Sequence, residues 1–122
     1  MFKKAIRRVL GKTTVQTDSG PQEYQIVEMD IDEYHNKGVR YQKAGQYQKA
    51  IKMFKKEIAC EPTVYSGDHS LGQVFQALGD IERAGKHYKI ALEKAETMHN
   101  KEPEFVDPRL IDEIKKDLAS LG

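Results

Sequence analysis

The sequence predicts an all-α fold, and three observations support this prediction. Apolar residues recur at intervals of three and four along much of the 122-residue chain, which is the spacing of one helical face. No stretch shows a convincing strand-type alternation of apolar and polar residues. Charged residues make up 32% and hydrophobic residues 39% of the chain, a balance typical of helices with wide solvated faces.

The composition disfavours several classes of protein. The single cysteine, Cys60, cannot form an internal disulfide, so nothing requires an oxidising compartment and a cytoplasmic location is expected. The longest apolar run is too short to cross a membrane. The net charge is only +1, which disfavours nucleic acid as a partner.

Residues 1–22 are predicted to be a basic amphipathic segment and linker preceding the main domain. On a helix over residues 1–12, apolar side chains lie on one face and basic ones on the other, as in helices that bind anionic membrane surfaces. The residues expected to contact such a membrane or a partner are Phe2, Lys3, Lys4, Ile6, Arg7 and Arg8. Folding of this helix back onto the main domain and a frayed tail are the alternatives. Residues 11–22 have the Gly, Thr, Ser and Pro content of a linker.

Five helices are predicted in the main domain, residues 23–122, at about 29–45, 46–59, 64–78, 80–98 and 108–121. Pro62 ends the second helix, because proline cannot continue a helix and disfavours helical geometry in the residue before it. Asp107 is a good N-cap for the last helix, and Pro108 suits its first position. A stripe of Leu and Ile on this last helix needs a neighbour to cover it.

The first four helices form two hairpins that repeat each other after 34 residues. This shift superposes three pairs of small residues, Gly38 and Gly72, Gly45 and Gly79, and Ala50 and Ala84. It also superposes two aromatic pairs and two polar pairs, Tyr41 and Phe75, Phe54 and Tyr88, His35 and His69, and Gln42 and Gln76. The period and this order of small and aromatic residues resemble the tetratricopeptide repeat, with repeat one at 31–64 and repeat two at 65–98.

The resemblance implies a right-handed superhelical stack of two helical hairpins, with residues 108–121 as a C-terminal capping helix. Gly38 and Ala50 would face each other where the helices of repeat one cross, as would Gly72 and Ala84 in repeat two. Four positions depart from the family pattern. Asp68 stands where a large apolar residue is usual, and Lys37 stands where leucine is common. Glu57 stands where alanine is common, and Glu96 stands where proline is usual.

The resemblance also implies a non-catalytic scaffold or adaptor that binds a protein or peptide through the concave face of the repeats. We define this concave face by nine residues of the first helices, Asp32, His35, Val39, Gln42, Lys43, Ser66, His69, Gln73 and Gln76. The alternative function is a peripheral membrane adaptor or assembly factor held at a membrane by the basic N-terminus. Self-association into a homo-oligomer stays open, because two repeats leave one side without a cap.

The sequence contains no motif for catalysis or for a cofactor. GxxxxGK[ST], HExxH and paired CxxC patterns are all missing, so neither an enzyme nor a cofactor is predicted. His35 and His69 occupy equivalent positions, but no further ligands accompany them at metal-binding spacing, and no metal site is predicted. His87 and His99 are expected at the surface.

Overall fold

The chain folds into two units, Met1–Pro62 and Thr63–Gly122, in a computed structural model that describes residues 9–17, 20–27 and 31–122. The first unit contains strands β1 (Val9–Thr17) and β2 (Gly20–Val27) and helices α1 (Ile31–Lys43) and α2 (Tyr47–Cys60). The second contains helices α3 (Ser66–Ala77), α4 (Ile81–Lys101) and α5 (Pro108–Ala119), with a 3-10 turn at Pro103–Phe105. The prediction of five helices is confirmed. None of the described helices is long and apolar enough to span a membrane.

An antiparallel β-hairpin in the first unit contradicts the prediction for the N-terminal part of the chain. β1 and β2 are paired from Val9 and Val27 to Thr17 and Gly20, with a register shift near Val9. The linker predicted at 11–22 is therefore wrong, as is the all-α class for these residues. The predicted amphipathic helix over residues 1–12 is wrong for residues 9–12. The predicted contact residues, Phe2, Lys3, Lys4, Ile6, Arg7 and Arg8, lie outside the described residues.

The composition of the two strands explains why a hairpin forms here. Valine and threonine occupy five of the nine positions of β1, and β-branched residues favour extended backbone. Gly20 has a φ of 101°, a conformation that glycine adopts without steric penalty. Pro21 is tolerated because both strands of a two-stranded sheet are edge strands. Gly20 and Pro21, which indicated a linker, begin β2 instead.

The two helical hairpins, α1–α2 and α3–α4, turn at equivalent glycines with the same geometry. Gly45 and Gly79 have φ values of 75° and 81°, a region in which other residues are strained. In each turn, the residue after the glycine donates its N–H to the carbonyl five positions earlier, at 2.8 and 2.9 Å. This bond and the one from the glycine N–H satisfy the last carbonyls of α1 and α3 in the Schellman arrangement.

A glycine on the first helix of each hairpin packs against an aromatic ring on the second. A Cβ atom added at Gly38 would lie 2.5 Å from the ring of Phe54, and one added at Gly72 would overlap the ring of Tyr88. Only glycine therefore lets these helices approach so closely. The sequence predicted that each glycine faces an alanine, Ala50 or Ala84, on the second helix. The aromatic ring is instead the nearest neighbour of each glycine, and the two alanines are themselves fully buried.

Helix α5 packs on α4 within the second unit. The apolar core between them consists of Ala91, Ala95, Val106, Ile111 and Ile114. The two alanines leave room on α4 for the larger side chains of α5. The Asp107 carboxylate accepts the Arg109 backbone N–H at 2.9 Å, so the predicted N-cap fixes where α5 begins.

Candidate functional site

The nine residues of the concave face lie on the first helix of each hairpin. Five belong to α1 and four to α3. Each lies three or four positions from another member of its set, so each set forms one stripe along its helix. Asp32 is exposed in the first turn of α1, and Ser66 is half-buried at the start of α3. The remaining seven differ in how their side chains are engaged.

His35 holds a buried carboxylate. Its Nδ1 lies 3.1 Å from Oε1 of Glu57, a residue of α2 that is only 4% exposed. The hydrogen bond to Glu57 raises the pKa of His35 above its ordinary value, although partial burial opposes this. His35 therefore connects α1 to α2, and its imidazole is already engaged in the contact with Glu57.

Three further members of the stripe on α1 have side chains that are available for binding. Val39 and Gln42 are half-buried and Lys43 is exposed. Within the described ranges, the Gln42 amide and the Lys43 ammonium are in no hydrogen bond or ion pair. The end of α1 nearest the turn thus presents an amide, a cation and a small apolar group.

In the second unit, α5 engages two of the predicted site residues on α3. The Nε2 atom of His69 lies 2.7 Å from Oδ2 of Asp117. Gln76 donates to the Ser120 hydroxyl at 3.2 Å and accepts from the Tyr88 hydroxyl at 2.7 Å. Burial, together with the charge of Asp117, raises the pKa of Tyr88 to about 12.

Gln73, between these two residues along α3, is half-buried. In the part of the chain that the structure describes, its amide is in no hydrogen bond. Of the nine predicted residues, four therefore have side chains that no described hydrogen bond or ion pair engages, Val39, Gln42 and Lys43 in the first unit and Gln73 in the second.

A buried charged cluster in the second unit includes Asp68, one of the residues that depart from the tetratricopeptide pattern. Asp68 and His87 are 3% and 4% exposed, with Oδ1 of the carboxylate 3.3 Å from Nδ1 of the imidazole. Lys94 donates to the other carboxylate oxygen at 2.5 Å, and Phe75 stacks on the imidazole with a centroid separation of 5.4 Å. The expectation that His87 lies at the surface is wrong, because it is the buried partner of Asp68.

His99 is only half-buried, and its Nδ1 donates to the backbone carbonyl of Val106 at 3.1 Å. Its imidazole thus ties the end of α4 to the segment before α5. The prediction that His99 lies at the surface is therefore only partly correct, because its side chain is half-buried.

His69, Glu113 and Asp117 form a group of metal-ligating side chains that the sequence analysis missed. One nitrogen or oxygen atom from each lies within 4.8 Å of the corresponding atoms of the other two. The two acids are four residues apart on α5, so they lie on one face of that helix. The spacing of Glu113 and Asp117 was a visible signal, but their approach to His69 on α3 depends on tertiary packing.

A small apolar pocket opens beside the 3-10 turn of the second unit. It has a volume of about 230 Å³ and is lined by Thr63, Val64, Tyr65, Met98, Phe105 and Val106. Ligand pockets for drug-sized molecules are commonly about 300–1,000 Å³, so this pocket is too small for such a ligand. Phe105 is 68% exposed at its rim.

No protein-family model matches the sequence, and no curated protein is significantly similar to it. The described residues define a protein built from two glycine-turned helical hairpins, with a β-hairpin before the first and a further helix after the second. Its function is therefore inferred from the geometry of these hairpins and of their exposed polar side chains.

Proposed function

We propose that this protein is a non-catalytic scaffold of the tetratricopeptide type that binds a protein or peptide partner. The observation that carries the proposal is the duplicated hairpin geometry, in which a glycine turn and a glycine–aromatic contact recur 34 residues apart. Repeat proteins are built from such supersecondary units and use their extended faces to bind partners. In this proposal the two hairpins stack as a right-handed superhelix with α5 as the cap.

The partner is proposed to bind at the four available side chains of the concave face. An amide side chain offers two donors and an acceptor, so Gln42 and Gln73 can pair with the backbone of an extended peptide. Lys43 adds a positive charge that favours a carboxylate on the partner. His35 and His69 would contribute less, because their imidazoles are paired with Glu57 and Asp117.

Affinity capture with matched variants tests this proposal. The test variant carries Gln42→Ala and Gln73→Ala, which remove the two amides without breaking a described hydrogen bond. The control carries Lys52→Ala and Lys89→Ala, exposed positions on the second helices α2 and α4. We expect the control to retain the partner of the parent protein and the amide variant to lose it, with equal thermal stability. Equal capture by both variants would contradict the proposed binding face.

The alternative function at a membrane now depends on residues 1–8 alone. Residues 9–12 belong to β1, so the twelve-residue helix on which this alternative was based does not form. Binding of a protein partner therefore stays the proposal, and a cytoplasmic location and a homo-oligomeric state stay predictions.

A further inference from the structure

We propose that His69, Glu113 and Asp117 bind a divalent transition-metal ion, with Zn²⁺ as the best match. The three side chains come from α3 and α5 of the second unit, and one ligand atom of each lies within 4.8 Å of the others. This site is separate from the amides proposed to bind a partner, and it does not depend on that function.

The spacing of the ligand atoms is close to what a bound ion requires. Nitrogen and oxygen ligands lie about 2.0–2.2 Å from Zn²⁺, which places ligand atoms of one ion about 3.0–3.6 Å apart. The separations here reach at most 4.8 Å. In this proposal the exposed side chain of Glu113 rotates to bring its carboxylate to the distance that a bound ion requires.

The ligand types favour a transition metal over Mg²⁺ or Ca²⁺. The latter ions prefer oxygen ligands throughout, whereas a site with one imidazole and two carboxylates suits Zn²⁺ and its neighbours. The two carboxylates carry negative charge that a divalent ion neutralises. Zn²⁺ in proteins is usually four-coordinate, so three protein ligands leave a fourth coordination position for water.

The second carboxylate distinguishes this group from an ordinary ion pair. Asp117 alone already pairs with His69 at 2.7 Å. Glu113 lies beside them, and among the described residues no cation or hydrogen-bond donor is paired with it. His69 has a side chain only 14% exposed, so packing holds its imidazole in place, while the exposed Glu113 leaves a path for the ion.

The first repeat provides an internal comparison. His35 occupies the position equivalent to His69 and pairs with Glu57 at 3.1 Å. No metal-ligand group that includes His35 is found in the described part of the chain. Zinc binding should therefore depend on His69 and be indifferent to His35.

Zinc titration of the full, untagged chain tests the proposal. A chromophoric zinc indicator as competitor gives stoichiometry and affinity, and thermal melts are recorded with EDTA and with Zn²⁺. We expect one ion per chain and a saturable rise in Tm. Glu113→Gln is the decisive variant, because it should melt like the parent in EDTA yet bind Zn²⁺ at least about tenfold more weakly. Even loss of a group that only supports a ligand costs about 10- to 100-fold in metal affinity.

Matched controls separate this site from adventitious binding. Asp112→Asn removes an exposed acid from the same helix, His35→Gln removes the equivalent imidazole, and Cys60→Ser removes the thiol. All three variants should bind Zn²⁺ like the parent, and zinc should shift the imidazole NMR signals of His69 selectively. Absence of zinc binding at one equivalent of Zn²⁺ per chain would overturn the proposal. Zinc binding that Glu113→Gln leaves unchanged would also overturn it.

Discussion

At the scale of single residues, two buried acids stand where the tetratricopeptide pattern has other residue types. Glu57 replaces a common alanine and is paired with His35, and Asp68 replaces an apolar residue and is paired with His87. A buried carboxylate without a partner would strongly destabilise the fold. Each unit therefore uses a histidine to satisfy an acid in its core. The sequence revealed the unusual acids but not their partners, because the partners lie 19 and 22 residues away on packed helices.

Gly38→Ala tests the contact between glycine and aromatic ring. The new Cβ would lie 2.5 Å from the Phe54 ring, and we expect a loss of about 1–3 kcal/mol in unfolding free energy from overpacking. Gly85→Ala is the control, since its Cβ would meet only Leu121 at 3.5 Å, an ordinary contact. That control should gain about 0.5–1 kcal/mol from helix propensity. Urea unfolding measures both, and equal effects of the two substitutions would refute the proposed packing.

The pH dependence of stability tests the pairing of His35 with Glu57. The hydrogen bond to Glu57 raises the pKa of His35 above 6.5 in the folded protein, so the folded state binds this proton more tightly than the unfolded chain. The resulting stabilisation is complete below pH 6.5 and is lost as the pH rises through the higher folded-state pKa.

We expect His35→Gln to lose less stability than the parent as the pH is raised from about 6 to about 8. Urea midpoints at several pH values measure the difference. His99→Gln controls for the loss of a histidine, because the His99 imidazole contacts a backbone carbonyl instead of an acid. Parallel pH profiles for the parent and His35→Gln would show that the pair contributes nothing.

At the scale of secondary structure, helices were predictable and the β-hairpin was not. Apolar stripes and end signals such as Pro62 and Asp107 are local, and the helix bounds agree to within a few residues. The pairing of β1 with β2 was missed because Gly20 and Pro21, which begin β2, are also residue types of a linker. Strand pairing also depends on a second segment, which a local pattern does not identify.

Ile114→Ala tests how much the packing of α5 on α4 contributes. Ile114 is fully buried in the core between these helices, so its truncation should cost about 2–5 kcal/mol. Lys115→Ala, an exposed neighbour on the same helix, should stay within about 0.5 kcal/mol of the parent. Chemical unfolding compares the two, and a mild effect of Ile114→Ala would mean that α5 is not integral to the second unit.

At the scale of the whole molecule, the resemblance to the tetratricopeptide repeat predicted the residues of a concave face but not the contacts that their side chains make. The nine predicted residues lie on α1 and α3. Which of them are available depends on side chains far away in sequence, such as Asp117 and Ser120 on α5. The same long-range packing creates the proposed zinc site. Local periodicity contains no information on such contacts.

Site-specific photo-crosslinking tests the central claim, that the polar stripes of α1 and α3 bind a protein partner. A photoreactive benzoylphenylalanine is placed singly at Gln42, Gln73, Lys52 or Lys89 of the full chain in its native cells. The account predicts that the first two positions capture the same protein and that the last two, on the second helices, do not. No capture from Gln42 and Gln73, or equal capture from all four positions, would contradict it.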